Sequence, residues 1–150
     1  MEGLPVRRDT SVVLVGLVAL LVAIGAMALD HLVGTERTGD DGLVDPAMFA
    51  ISLVLSLAVA AALFGWLVPR EIRSGPERAA RSGLVCSSAS VVPGLALIWV
   101  GFPLVVAGAG LALGLVGQRG ARRLEATAAV VIGALVLVLG PVAYAVATVS

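Results

Sequence analysis

A chain of 150 residues with 59% apolar side chains, 13% charged side chains and zero formal net charge has a mean hydropathy of +1.08. Soluble domains of this size carry roughly a quarter of their residues as charges, so these proportions exclude an ordinary water-soluble fold and point to an all-α, polytopic helical membrane bundle. No net positive charge and no basic tract with interleaved aromatics exists to hold nucleic acid, and the lone Cys86 excludes an intrachain disulfide or a paired-cysteine metal site. Every basic residue is Arg, and Ala, Val, Leu and Gly dominate, a usage typical of GC-rich bacterial genomes.

Four blocks, residues 11–29, 47–68, 83–117 and 126–147, contain no Asp, Glu, Lys, Arg, His, Asn or Gln. A hydrocarbon core of about 30 Å needs roughly 20 helical residues at 1.5 Å each, so the first, second and fourth blocks predict one crossing apiece. Arg7 and Arg8 precede the first block, and Ala26-Met27-Ala28 has the small-x-small form of a signal-peptidase site. Nineteen apolar residues are long for a signal core, so a retained helix over 11–29 is expected, and the twin arginine lacks the hydrophobic residues of a Tat signal.

The loop from Asp30 to Asp45 carries Asp30, Glu36, Asp40, Asp41 and Asp45 against Arg37, together with the single histidine, His31. Its acidity places it outside the membrane on the external face. Asp30 and His31 are candidate partners for a proton or cation at the mouth of the first helix, although Thr38-Gly39-Asp40-Asp41-Gly42 matches no calcium-loop spacing, and a solvated acidic loop is the simpler reading.

Asp45-Pro46 reads as an N-cap followed by proline at the first helical position, starting a second helix that Pro69-Arg70 should end near residue 68. Gly75-Pro76-Glu77 repeats the start signal, predicting a polar helical lead over 76–81 into the third block. That block has 35 residues, too many for one crossing even with ordinary tilt. One arrangement is a single long helix kinked at Pro93 or Pro103. The other is a helical hairpin turning near Phe102, where Gly101 can end one helix and Pro103 can begin the next.

Arginine placement separates the two, because short loops retain Arg on the cytoplasmic side. A single crossing leaves six Arg inside (7, 8, 70, 73, 78, 81) and four outside (37, 119, 122, 123); the hairpin returns the loop 118–124 to the inside and leaves only Arg37 outside, nine against one. Five helices are therefore expected over 11–29, 47–68, 83–100, 103–117 and 126–147, in a single integral domain spanning 1–150. The N-terminus is cytoplasmic and the loop 30–45 external, in the inner membrane of a bacterium. Pro141 should bend the last helix.

Lipid tails are as apolar as the helices, so association depends on small residues that let backbones approach. Ser87, Gly94, Gly101 and Gly108 recur every seven residues in the third block, and Ala126, Gly133, Gly140 and Ala147 in the fourth. A seven-residue period keeps one face on a neighbour, so the last two blocks are expected to pack through these seams. Ser52, Ser56 and Ala60 form a further small stripe, and Gly110 with Gly114 another. Ser52 and Ser56, with Ser87, Ser88 and Ser90, are the positions that would line a narrow solute path; interhelical hydrogen bonding is the favoured role. Cys86 reads as a packing residue, with no base or cation nearby to activate it.

Catalytic machinery needs titratable groups gathered in a protected site, and the blocks hold none; no catalytic, cofactor or metal residues are assigned. The run Trp99-Val100-Gly101-Phe102-Pro103, Gly108-Ala109-Gly110-Leu111-Ala112-Leu113-Gly114 and Arg119-Gly120-Ala121-Arg122-Arg123 resembles small Gly/Ala/Val-rich multi-pass membrane proteins of unknown function from high-GC bacteria. The resemblance covers the C-terminal half and implies a helical membrane fold with no functional residues to transfer. The expected partners are the lipid bilayer and a membrane-protein partner or a second copy. The expected role is that of a non-enzymatic accessory or scaffolding subunit, the alternative being a small channel or transporter, which usually needs an intramembrane ionisable group when ion-coupled.

Overall fold

The computed structural model describes residues 10–37, 46–96 and 101–149. Among the described residues the chain is all-helical: α1 Thr10–Arg37, α2 Pro46–Ala62, a π-helical turn Leu63–Leu67, α3 Val68–Arg73, α4 Pro76–Ala96, α5 Phe102–Gly117 and α6 Arg123–Val149. Two stretches, Phe49–Arg73 and Arg123–Ala143, are long and apolar enough to cross a membrane by length and composition, while Val12–Ala28 and α5 are shorter apolar helices.

The third apolar block is a helical hairpin. α4 and α5 are separate helices packed on one another, and Ala80 meets Gly117, Gly83 meets Gly114, and Ser87 meets Gly110. Each of those pairs is symmetric about the point between residues 98 and 99, which is the register of an antiparallel pair. Pro93 lies inside α4 and Pro103 in the first turn of α5, so neither is the elbow of one long helix. The break falls at Gly101, whose φ of +77° is a backbone conformation that L side chains adopt only at a cost. Its carbonyl accepts a hydrogen bond from the Leu104 N–H at 3.1 Å, and the residue is buried.

α5 is the axis of the bundle. Twelve of its sixteen residues are buried, because α1, α2, α4 and α6 all pack around it. A helix that is apolar on every side suits such a position. The turns 74–75 and 118–122 lie at the same end, where Gly120 approaches Pro76 and Ser82 donates a hydrogen bond to Glu71. The start of α1 is there too, since Val12 packs on the cluster of Val68, Ala79, Leu113 and Val116. Arg70, Arg73, Arg78, Arg81, Arg119, Arg122 and Arg123 thus gather at one end of the bundle against Glu71, Glu77 and Glu125. Met27, Ser56 and Gly101 meet nearer the other end.

Several boundaries differ from the sequence expectation, each for a physical reason. α1 does not end at residue 29 but continues to Arg37, because charge sets where a helix meets water and not where its hydrogen bonding stops; Glu36 and Arg37 are good helix formers. The second helix does not end at Pro69. It runs on as α3, whose first turn holds the proline, after a π turn in which the Val68 N–H bonds the Leu63 carbonyl. A missing donor is cheap in the first turn of a segment, and the π register supplies such a start within a continuous helix. The helical lead expected over 76–81 is present and continuous with the third block, so α4 as a whole runs from Pro76. The capping role of Asp45 and the residues 97–100 lie outside the described residues.

Candidate functional site

The most developed feature is the seam of small residues around α5, built where helices that carry no bulk on one face can touch backbone to backbone. A Cβ on Gly83 would sit 2.8 Å from the Gly114 nitrogen and 3.0 Å from the Gly110 carbonyl oxygen. A Cβ on Gly117 would sit 2.7 Å from the Ala80 Cα, and one on Gly110 would collide with Ser87. The α4–α5 interface therefore has no room for a single methyl group at these positions. Lipid-embedded helices gain association energy from such close packing.

The seven-residue seams are realised only in part. Gly133 belongs to the α5–α6 contact, where its Cβ would meet the Ala107 carbonyl oxygen at 2.9 Å and the Leu111 Cβ at 3.1 Å. Gly140 is buried and lines an open apolar groove of about 560 Å³ with Val91, Ile132, Leu135, Val136 and Leu139. Gly108 does not face α6; it faces Ala19 of α1, with Phe64 beyond. Gly101 sits in the turn beside Met27 and Ser56, and Gly94 lies within α4, its surroundings outside the described residues. A repeat of period seven cannot remain one face once a turn interrupts it, so Ser87, Gly101 and Gly108 serve different contacts.

The polar positions fall into separate groups. Ser56 is fully buried on α2, with its hydroxyl 3.8 Å from the Met27 Sδ, and Ser52 is buried one turn earlier. On α4, Ser87 donates to the Ala129 carbonyl at 2.7 Å and Ser90 to the Ser87 carbonyl at 2.7 Å. Ser88 is exposed. Ser56 lies against Gly101 and Ser87 against Gly110, about 13 Å apart along α5 at its helical rise, so the two groups sit at different levels of the bundle with mostly buried α5 residues between them. Asp30 and His31 are carried by α1 and not by a loop; their side chains lie outside the described residues.

Sequence reasoning missed the packing of Gly83 on Gly114 and of Gly117 on Ala80, having used Gly83 and Gly117 only as block boundaries. The signal was present: small residues at 80, 83 and 87 mirror those at 117, 114 and 110 about the point between residues 98 and 99. It also missed the charged end as a structure. There Arg122 and Glu125 form an ion pair at 2.6 Å, Ser82 reaches Glu71 at 2.9 Å, and Cys86 lies half-buried one turn further along α4.

No family model matches the chain, and no curated protein or solved structure matches it either.

Proposed function

We propose that the chain is an integral protein of the inner membrane whose five helices each cross the bilayer, with the arginine-rich end cytoplasmic and the acidic segment 30–45 external, and that it acts as a non-enzymatic accessory or scaffolding subunit. The observation that carries the membrane reading is the inverted distribution of side-chain size. The interior is built largely from Ala19, Ala23, Ala79, Ala80, Ala107, Ala109, Ala112 and the glycines of the seam, with Met27, Val68, Leu104, Val105 and Leu113 among them, while Leu14, Leu17, Leu21, Ile51, Val54, Val131, Val138 and Leu139 stand exposed. In water this arrangement would expose far more apolar surface than a soluble protein tolerates. In lipid it costs nothing, because large side chains are as well solvated by acyl chains as by protein.

The short α5, about 24 Å long at its helical rise, is admissible in that setting because protein surrounds it. The turn at Gly101 is likewise buried in protein, the condition under which non-helical backbone is tolerated at membrane depth. The scaffolding role is supported by what the interior spends its polar atoms on: the hydroxyls of Ser87 and Ser90 are bonded to carbonyls and α5 fills the axis that a conduit would use. Stoichiometric recovery of one other membrane protein with the tagged chain from native membranes is the expected result. Solute flux through liposomes holding this chain alone would overturn the scaffolding role in favour of a channel or transporter.

A further inference from the structure

The π turn at Leu63–Leu67 does more than accommodate Pro69. It opens a notch of about 340 Å³ lined by Gly65, Trp66, Arg70, Arg73 and Ser74 at the end of the bundle where the apolar run of α2 gives way to arginine. Nothing stands within 4 Å of the position a Gly65 Cβ would take, so the notch is open at its apolar lip. Trp66 is 62% exposed there. Indole rings favour the membrane–water boundary, which sets the depth of the notch at the headgroups. The Arg70 guanidinium lies over the Trp66 ring at 5.2 Å, a stacking that fixes its plane while leaving N–H groups free. Arg73 Nε donates to the Pro69 carbonyl at 3.1 Å, which ties the second guanidinium to its own helix, and both arginines line the notch. Ser74 donates to the Arg70 carbonyl at 3.0 Å.

Glu71, next to Arg70 in sequence, accepts a hydrogen bond from Ser82 of α4 and does not line the notch. Among the described residues no carboxylate pairs with Arg70 or Arg73, whereas Arg122 is paired with Glu125. Two cations without carboxylate partners among the described residues share the notch with an exposed indole and the open side of Gly65, which presents the two halves of a phospholipid with binding groups: phosphate at the arginines, acyl chain along Gly65 and Trp66.

Resting on the membrane reading above, we propose that this notch is a binding site for an anionic phospholipid, whose headgroup phosphate is held by Arg70 and Arg73. Guanidinium groups match phosphate oxygens in geometry, and basic clusters at the cytoplasmic surface select anionic lipids.

The test uses the full chain carrying Trp99→Phe, so that Trp66 is the remaining tryptophan, reconstituted in phosphatidylcholine vesicles containing equal small fractions of brominated phosphatidylglycerol or brominated phosphatidylcholine. Brominated phosphatidylglycerol should quench Trp66 more strongly, with a selectivity on the order of fivefold per arginine. Arg70→Gln with Arg73→Gln should erase that preference, and Gly65→Leu, which fills the notch and keeps both charges, should weaken it. Arg78→Gln with Arg81→Gln removes the same charge from α4 and should leave it intact. Native mass spectrometry of the chain with both tryptophans, counting phosphatidylglycerol retained through detergent exchange, gives the same comparison without the Trp99→Phe substitution.

Equal quenching by both lipids would overturn the site and leave the membrane reading standing, and so would equal loss in the two arginine pairs. Quenching by neither lipid would overturn both. Loss of the preference on adding inorganic phosphate, but not chloride at the same ionic strength, would overturn the lipid assignment in favour of a soluble anion.

Discussion

Helix α5 and the outer faces of α1 and α6 are made from nearly the same apolar alphabet, yet one is buried and the other exposed. On α5 the buried positions include Ala107, Gly108, Ala109, Gly110, Ala112 and Gly114; on α1 and α6 the exposed ones include Leu14, Leu17, Leu21, Val131 and Val138. Hydropathy cannot explain the division, because both sets are apolar. Size accounts for most of it, Leu104, Val105 and Leu113 being buried exceptions: residues without bulk let helix axes approach until backbones touch, and in the membrane setting proposed above most residues with bulk are left to lipid. In water the sorting would run the other way, with the large side chains inside.

Substitutions that add volume at the hairpin should separate the two regions most sharply. Gly110→Leu has no space against Ser87 and should prevent α4 and α5 from packing, a loss of ~3 kcal/mol or more, seen as early unfolding or aggregation in a denaturant titration in detergent. Gly101→Ala combines a φ of +77° with a collision 2.6 Å from the Met27 Sδ, and a loss of about 2 kcal/mol is expected by the same titration. Ser87→Ala removes the bond to the Ala129 carbonyl and should cost about 0.6 kcal/mol, the usual worth of an interhelical hydrogen bond in a membrane. Leu21→Ala, at a side chain 67% exposed, should change stability by less than about 0.5 kcal/mol, since lipid fills the vacated space. A large loss at Leu21 with little at Gly110 would invert the comparison and contradict the size rule.

Much of this was legible in the sequence. The 35-residue block was too long for one crossing, and Gly101-Phe102-Pro103 marked the turn, so the hairpin followed from length, arginine placement and two residues. The helix limits were less legible because a hydropathy block records where charge begins, whereas α1 and α4 keep their hydrogen bonds through Arg37 and from Pro76. Pro69 misled for another reason: its usual effect on a helix was absorbed by a π turn that no residue pattern announces. The heptad of Ser87, Gly94, Gly101 and Gly108 was real as a spacing and wrong as a surface, since the same Gly101 that breaks the helix also divides the repeat. The paired glycines 83 and 114, and 110 beside Ser87, became visible only once the chain was folded back on itself.

The account depends most on the two turns 74–75 and 118–122 facing the cytoplasm together. Gln118 is exposed at the second turn and suits a reporter better than Gly120, whose Cβ would press on Pro76 at 3.1 Å. In a Cys86→Ser background, Gln118→Cys should resist an impermeant maleimide in intact cells and react once they are permeabilised, while Asp40→Cys in the acidic loop reacts from outside. Labelling of Gln118→Cys in intact cells would place that turn on the external face and contradict the five-crossing arrangement.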